Sequence, residues 1–198
     1  MKKIISIIVS ATILLMSGCS SVHEPVTTIP LYIETTTVGD VVGTIEGDRY
    51  ISHAGGIAYK LTGDYRAEWF DTDKRNILMN DYTGIDIAGP CFVWEKRATL
   101  KIDYVLDEQL KEDATKEHTL EEWNKTLKYP AKSIEYVKDY KMDGKSCFAI
   151  KTVLDRDGYD VSTLQIYYFQ DNGLLVLITI TARSFKEIDK IVKNLQVA

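Results

Sequence analysis

The sequence predicts an α+β domain: a central antiparallel sheet flanked by helices, ending in a hairpin followed by a C-terminal helix. Three observations carry this. Val161 to Thr181 alternates with period two on either side of Asp171-Asn172-Gly173, and Asn-Gly between alternating runs is a hairpin signature. Asp143-Gly144 and Asp155 to Gly158 repeat the turn signal upstream, so four consecutive antiparallel strands are expected between about residue 133 and residue 182. Finally, Thr119 with Glu122 and Ser184 with Glu187 have the spacing of helix capping boxes, each opening an apolar helical stripe.

The chain begins with a targeting segment over residues 1–18. Lys2 and Lys3 form a positive start, and Ile4 to Met16 is apolar apart from Ser6, Ser10 and Thr12. Spanning a membrane takes about 20 apolar residues, so this shorter run reads as a signal peptide. Leu15-Met16-Ser17-Gly18-Cys19 resembles the lipobox of bacterial lipoproteins, with Met16 where leucine is commoner. That resemblance implies a lipidated Cys19 and an anchor on the extracytoplasmic side of a cell membrane or outer membrane. Residues 19–30 are polar, hold Pro25 and Pro30, and read as a tether. Residues 31–198 then form a single domain.

Within it, Leu31 to Thr37 has the composition of an edge strand, and Val41 to Ile45 is a weak strand between glycines. Tyr50 to Ser52 and Gly56 to Leu61 read as two short strands. Tyr65, Trp69 and Phe70 fall at helical spacing, in a short helix or an irregular aromatic segment. Cys91 to Val105 is the longest strand-like run, with Gly89-Pro90 at its start. Leu120, Trp123 and Leu127 share a helical face that Pro130 ends. In the last strand Leu174 to Leu177 is apolar on both faces, which calls for cover on both sides of the sheet. Phe185, Ile188, Ile191, Val192 and Leu195 complete one stripe of the final helix.

This order of elements resembles the PsbP-like fold, shared by photosystem PsbP proteins, a Ran-binding import factor and DcrB-like bacterial lipoproteins. The resemblance covers roughly residues 47–195. It rests on Tyr50 to Leu61, Thr119-Leu120-Glu121-Glu122-Trp123, Asp143-Gly144-Lys145, and Tyr167-Tyr168-Phe169 with the closing hairpin and helix. It implies an αβα sandwich with a binding or assembly role and no common active site.

Composition narrows the function further. The formal charge is −5, and losing Lys2 and Lys3 with the leader makes it more negative. Such a domain repels phosphate backbones, so nucleic acid is not an expected partner. His23, His53 and His118 lie far apart, and neither Cys-x-x-Cys nor His-Glu-x-x-His spacing occurs, so no metal site or cofactor is expected. Asp155, Asp157 and Asp160 suggest a calcium loop, but the position where that loop needs glutamate is Ile166; an acidic hairpin turn is the better reading. Asp71 and Asp73 lack the glycine such a loop needs. No nucleophile elbow or phosphate loop is present, so no catalytic residue is assigned. Tyr65, Trp69 and Phe70 either line a groove for a ligand or partner, or pack in the core as most aromatics do.

The expected function is that of a non-enzymatic, membrane-anchored envelope lipoprotein that binds another protein or assists assembly. A small-ligand binder is the alternative, and a hydrolase a more distant one. With Cys19 committed to lipid, Cys91 and Cys147 are the remaining cysteines. In an oxidising compartment exported cysteines tend to pair, so a disulfide between them is expected; two buried free thiols are the alternative.

Overall fold

The structure, a computed structural model, describes residues 43–63, 65–68, 77–79, 85–94, 98–106, 115–170 and 174–197. In chain order the strands are β1 (Thr44–Glu46), β2 (Arg49–Ser52), β3 (Ile57–Lys60), β4 (Tyr65–Glu68), β5 (Ile77–Met79), β6 (Ile85–Trp94) and β7 (Thr99–Leu106). Helix α1 (Leu120–Asn124) follows, then β8 (Ala131–Met142), β9 (Lys145–Arg156), β10 (Tyr159–Phe169), β11 (Leu174–Ala182), helix α2 (Phe185–Val192) and β12 (Leu195–Val197). The expected edge strand at Leu31 to Thr37 lies outside the described residues.

The strands form two antiparallel sheets. The larger runs β4-β6-β7-β11-β10-β9-β8, with β5 also paired to β6; the smaller runs β1-β2-β3-β12. The four-strand meander from β8 to β11 is built as the turn chemistry dictates. Asp143 and Gly144 have φ of 48° and 79°, and Asp157 and Gly158 have φ of 55° and 85°. Positive φ at both central residues is the type I′ geometry that matches strand twist, and Asp-Gly tolerates it. The expected turn at Asp171 to Gly173 falls outside the described residues, but β10 and β11 pair in register from Ser162↔Ala182 to Phe169↔Leu175.

One face of the large sheet carries Phe92, Leu100, Ile102, Tyr104, Leu164, Ile166, Val176, Ile178 and Ile180. These pack against Tyr50, Ile57 and Tyr59 of the small sheet, Ile188 and Ile191 of α2, and Leu195 of β12. The architecture is therefore a β sandwich. The helix-flanked αβα sandwich expected from the PsbP-like resemblance does not form: among the described residues there are two helices, of five and eight residues. The reason lies in what two-faced apolarity specifies. Leu174 and Val176 do face one core and Leu175 and Leu177 another, so cover on both sides is real. The pattern leaves the identity of the cover open, and on the first face strand-borne Tyr50, Ile57 and Tyr59 provide much of it.

Other elements also differ from expectation. Cys91 to Val105 is parts of two strands, β6 and β7, paired as neighbours. Gly89-Pro90 sits inside β6 rather than before it, at a register shift between Ala88 and Cys91. A bulge is where a sheet accommodates a residue without an N–H. Gly89 is required there, because a Cβ would overlap the carbonyl of Ile102 on β7. Tyr65 belongs to strand β4, not to a helix. The α1 capping box is formed as expected: Glu122 N donates to Thr119 Oγ1 at 3.2 Å and Thr119 N to Glu122 Oε2 at 2.8 Å. That at α2 is not. Ser184 makes no side-chain cap bond, and Glu187 accepts from Arg183 N at 3.1 Å instead. Leu195 leaves the helical stripe and pairs with Tyr59 as the first residue of β12.

Candidate functional site

The outer face of the large sheet, opposite the small sheet, divides into an apolar half and a polar half. In the apolar half Val105, Phe148, Ile150, Tyr167, Leu175 and Leu177 pack with Trp123 of α1. Trp123 Nε1 donates to Tyr136 OH, which also accepts from His118 N at 2.8 Å and lies 3.0 Å from His118 O. That network fixes the short helix on the sheet.

The polar half follows from strand register. Thr99, Thr181, Thr163 and Thr152 lie abreast across β7, β11, β10 and β9. Two residues along, Cys91, Lys101, Thr179, Gln165 and Ile150 form the next row. The third row begins at Asp103 and continues through Leu177, Tyr167 and Phe148 into the apolar half. Alternation explains the arrangement. With Leu100, Ile102, Leu164, Ile166, Ile178 and Ile180 committed to the sandwich core, every intervening residue must face outward.

These outward polar groups are nevertheless buried: Thr179 is 0% exposed, Thr163 and Gln165 3%, Lys101 5% and Asp103 8%. Lys101 Nζ pairs with Asp103 Oδ2 at 2.8 Å, which leaves the pair electrically neutral. Among the described residues, no hydrogen-bond partner reaches Asp103 Oδ1, Gln165 Nε2, Tyr167 OH, or the hydroxyls of Thr99, Thr163, Thr179 and Thr181. Burial also pushes the Tyr167 phenol above its ordinary pKa, so it stays protonated. A buried polar group left unpaired costs about 1–3 kcal/mol. Seven of them together rival the roughly 5–15 kcal/mol that holds a domain folded. Native proteins leave few buried polar groups unpaired, so this face departs from the usual pattern.

None of these residues was singled out from the sequence. The signal was nonetheless there. Once the β10–β11 turn sets the register, Thr163 faces Thr181 and Gln165 faces Thr179.

The residues that were singled out do not converge. Cys19, His23, Trp69, Phe70, Asp71 and Asp73 lie outside the described residues. Tyr65 is half-buried on β4, its ring edge-on to Phe92 at 6.1 Å, which is core packing. His53 is exposed in a turn, and His118 stands 3.9 Å from Glu122 on another element. Among the described residues no group of three or more histidine, cysteine or acidic side chains is placed to hold a metal ion. At the acidic turn Lys132 Nζ lies 3.2 Å from Asp155 and 2.6 Å from Asp160, while Gly158 N donates to Asp155 at 2.9 Å. A lysine occupies the position a cation would take.

The expected disulfide is not formed. Cys91 and Cys147 are both buried and are not bridged to each other. Cys91 is on β6 in the outer row with Lys101, whereas Cys147 is on β9 and packs into the sandwich core. Three strands, β7, β11 and β10, lie between them. Their positions near the starts of two strand-like runs said nothing of sheet order or of facing.

No family model, curated protein or solved structure matches the chain.

Proposed function

We propose that the chain is a lipid-anchored lipoprotein of the cell envelope, held through Cys19, whose β sandwich is a non-enzymatic binding module with its ligand site on the polar half of the outer sheet face. The anchor rests on Lys2 and Lys3, the short apolar run and the Ser17-Gly18-Cys19 junction. The observation that carries the binding role is the set of seven buried side-chain atoms without hydrogen-bond partners on adjacent strands. A hydrolase reading has no comparable support: the polar rows pair threonines with a lysine, an aspartate and a glutamine, and no histidine stands among them.

The test is native mass spectrometry of the mature lipoprotein isolated from its own envelope. A small, non-covalent adduct that is lost on denaturation is expected, on a polypeptide whose N-terminal cysteine carries acyl chains. A bare mass would overturn the binding role, and an unmodified Cys19 would overturn the anchor.

A further inference from the structure

We propose that the solvent face of α2 is the side the domain turns to its membrane, with Lys186, Lys190 and Lys193 resting on anionic phospholipid head groups. The proposal rests on the lipid-anchor half of the reading above and adds an orientation that an anchor alone does not supply.

Helical spacing puts the three lysines together. Lys186 and Lys190 are four residues apart and Lys190 and Lys193 three, and Lys193, the C-cap, keeps helical backbone angles. All three are exposed, on the side of α2 away from Ile188 and Ile191, which are buried in the sandwich core. Arg183 is exposed just before the N-cap. Among the described residues none of these four cations pairs with a carboxylate. Lys60, Lys125, Lys132, Lys138, Lys141 and Lys151 each do. Glu187 and Asp189 fall to either side of the stripe, and Glu187 accepts from Arg183 N. Lys190 and Lys193 suit the C-terminal end of the helix dipole, but Lys186 stands in the first turn, where a cation is unfavourable. Repulsion along the stripe is a further cost to the helix. Folding therefore does not account for it.

The anchored chain enters the domain in the same layer. Residues 20–42 join Cys19 to β1, an edge strand of the small sheet. The small sheet and α2 pack on one face of the large sheet, and Lys60 N of β3 donates to Asn194 O, just after α2, at 3.0 Å. The chain from Cys19 to β1 spans at most about 80 Å, which confines the domain near the bilayer and leaves its orientation open. Charge supplies the orientation. The protein carries −5, so an anionic surface repels most of it. Screening confines that repulsion to about 8 Å at physiological salt, and within that range each lysine favours contact about fivefold. The anchor keeps the local concentration high, so the lysines need only set which face is down. The small sheet beside them is balanced: Lys60 lies 3.9 Å from Asp48, and Arg49 stands opposite Glu46.

The experiment inserts the full-length mature lipoprotein into preformed vesicles of phosphatidylcholine alone, or of phosphatidylcholine mixed equally with phosphatidylglycerol. Flotation reads attachment, and acetylation with mass spectrometry reads each lysine. On the anionic vesicles Lys186, Lys190 and Lys193 should react about threefold more slowly or less, while Lys125, on α1 across the large sheet, keeps its rate; high salt should remove the difference. The double variant Lys186→Glu, Lys190→Glu should melt close to wild type, both positions being exposed, and lose the protection of Lys193. If the protein floats with both vesicles and the three lysines slow no more than Lys125, the membrane-facing proposal is overturned and the anchor stands. Protection that persists in the double variant also overturns it. Flotation with the anionic vesicles alone, lost in the double variant, overturns the anchor and keeps the lysine face; flotation with neither overturns both. Protection in the protein's own envelope without protection on the vesicles assigns the face to an acidic macromolecule and overturns the lipid proposal.

Discussion

The hydroxyls of Tyr50 and Tyr104 hydrogen-bond to each other across the interface between the two sheets. Tyr50 is on β2 and Tyr104 on β7, and both are fully buried. Room for the Tyr104 ring comes from two glycines. A Cβ on Gly55 would lie 2.6 Å from Tyr104 Cε1, and one on Gly89 3.1 Å from Cε2. The bond ties the small sheet to the large one at a point where packing alone would allow sliding. Tyr104→Phe keeps the ring and removes the bond, so a loss of about 1–3 kcal/mol is expected from urea denaturation. An unchanged midpoint would show that the pair contributes nothing net. Gly89→Ala should cost more, because its Cβ meets the backbone carbonyl of Ile102, which cannot swing aside.

The same burial makes the domain sensitive to alkali. Burial pushes Tyr104 and Tyr59 up to about 12 and the Cys147 thiol up to about 11. Burial, reinforced by the neighbouring Tyr104, drives Tyr50 in the same direction. In each case the folded state holds its proton more tightly than the unfolded chain. The stability this contributes is whole below the ordinary values of 9.0 for the thiol and 10.0 for the phenols. It is lost as pH rises towards the folded values, at about 1.4 kcal/mol per pH unit for each titrating group. Denaturation midpoints should therefore fall steeply between about pH 9 and pH 12. A flat profile over that range would mean that water reaches these groups in the folded protein.

Helix α2 is the third point of test. Ile188 is 0% exposed and packs with Leu195 and the large sheet in the sandwich core. Ile188→Asp places a carboxylate there at a cost of several kcal/mol, comparable with total stability. The variant should fail to fold or melt far below wild type, as read by circular dichroism. Lys186→Asp at an exposed position of the same helix is the control and should move the melting temperature little. Equal melting of both variants would place the wrong face of α2 against the sheet.

The meander was legible because its information is local. Asp143-Gly144 and Asp157-Gly158 dictate their turns, and the strands between them alternate without interruption. The Thr119 capping box was legible for the same reason. What failed was non-local or ambiguous. Leu195 satisfies a helical stripe and a strand equally, and only its pairing with Tyr59 decides. The sandwich partner of Leu174 and Val176 is set by residues more than a hundred positions earlier in the chain, Tyr50, Ile57 and Tyr59. In the sequence, Thr163, Gln165, Thr179 and Thr181 are simply the alternate positions of two strands, with nothing local to mark them as buried. Their burial, which makes them informative, is a property of the assembled sheet alone.

The cysteines offer a direct check on sheet order. Four strand spacings separate β6 from β9, about 19 Å at roughly 4.8 Å each, against the limit of about 7 Å between Cα atoms that a disulfide tolerates. The side chains also leave opposite faces of the sheet, Cys91 outward and Cys147 into the core. An oxidising compartment favours pairing but cannot bring together residues that the fold holds apart. Mature protein denatured without reductant should therefore take up two alkyl groups by mass spectrometry, at Cys91 and Cys147. Folded protein at pH 8 should take up few, because both thiols are buried and burial pushes Cys147 up to about 11, leaving little reactive thiolate. A denatured, unreduced protein that takes up none would require a bridge between the two, and with it a different order of strands from β6 to β9.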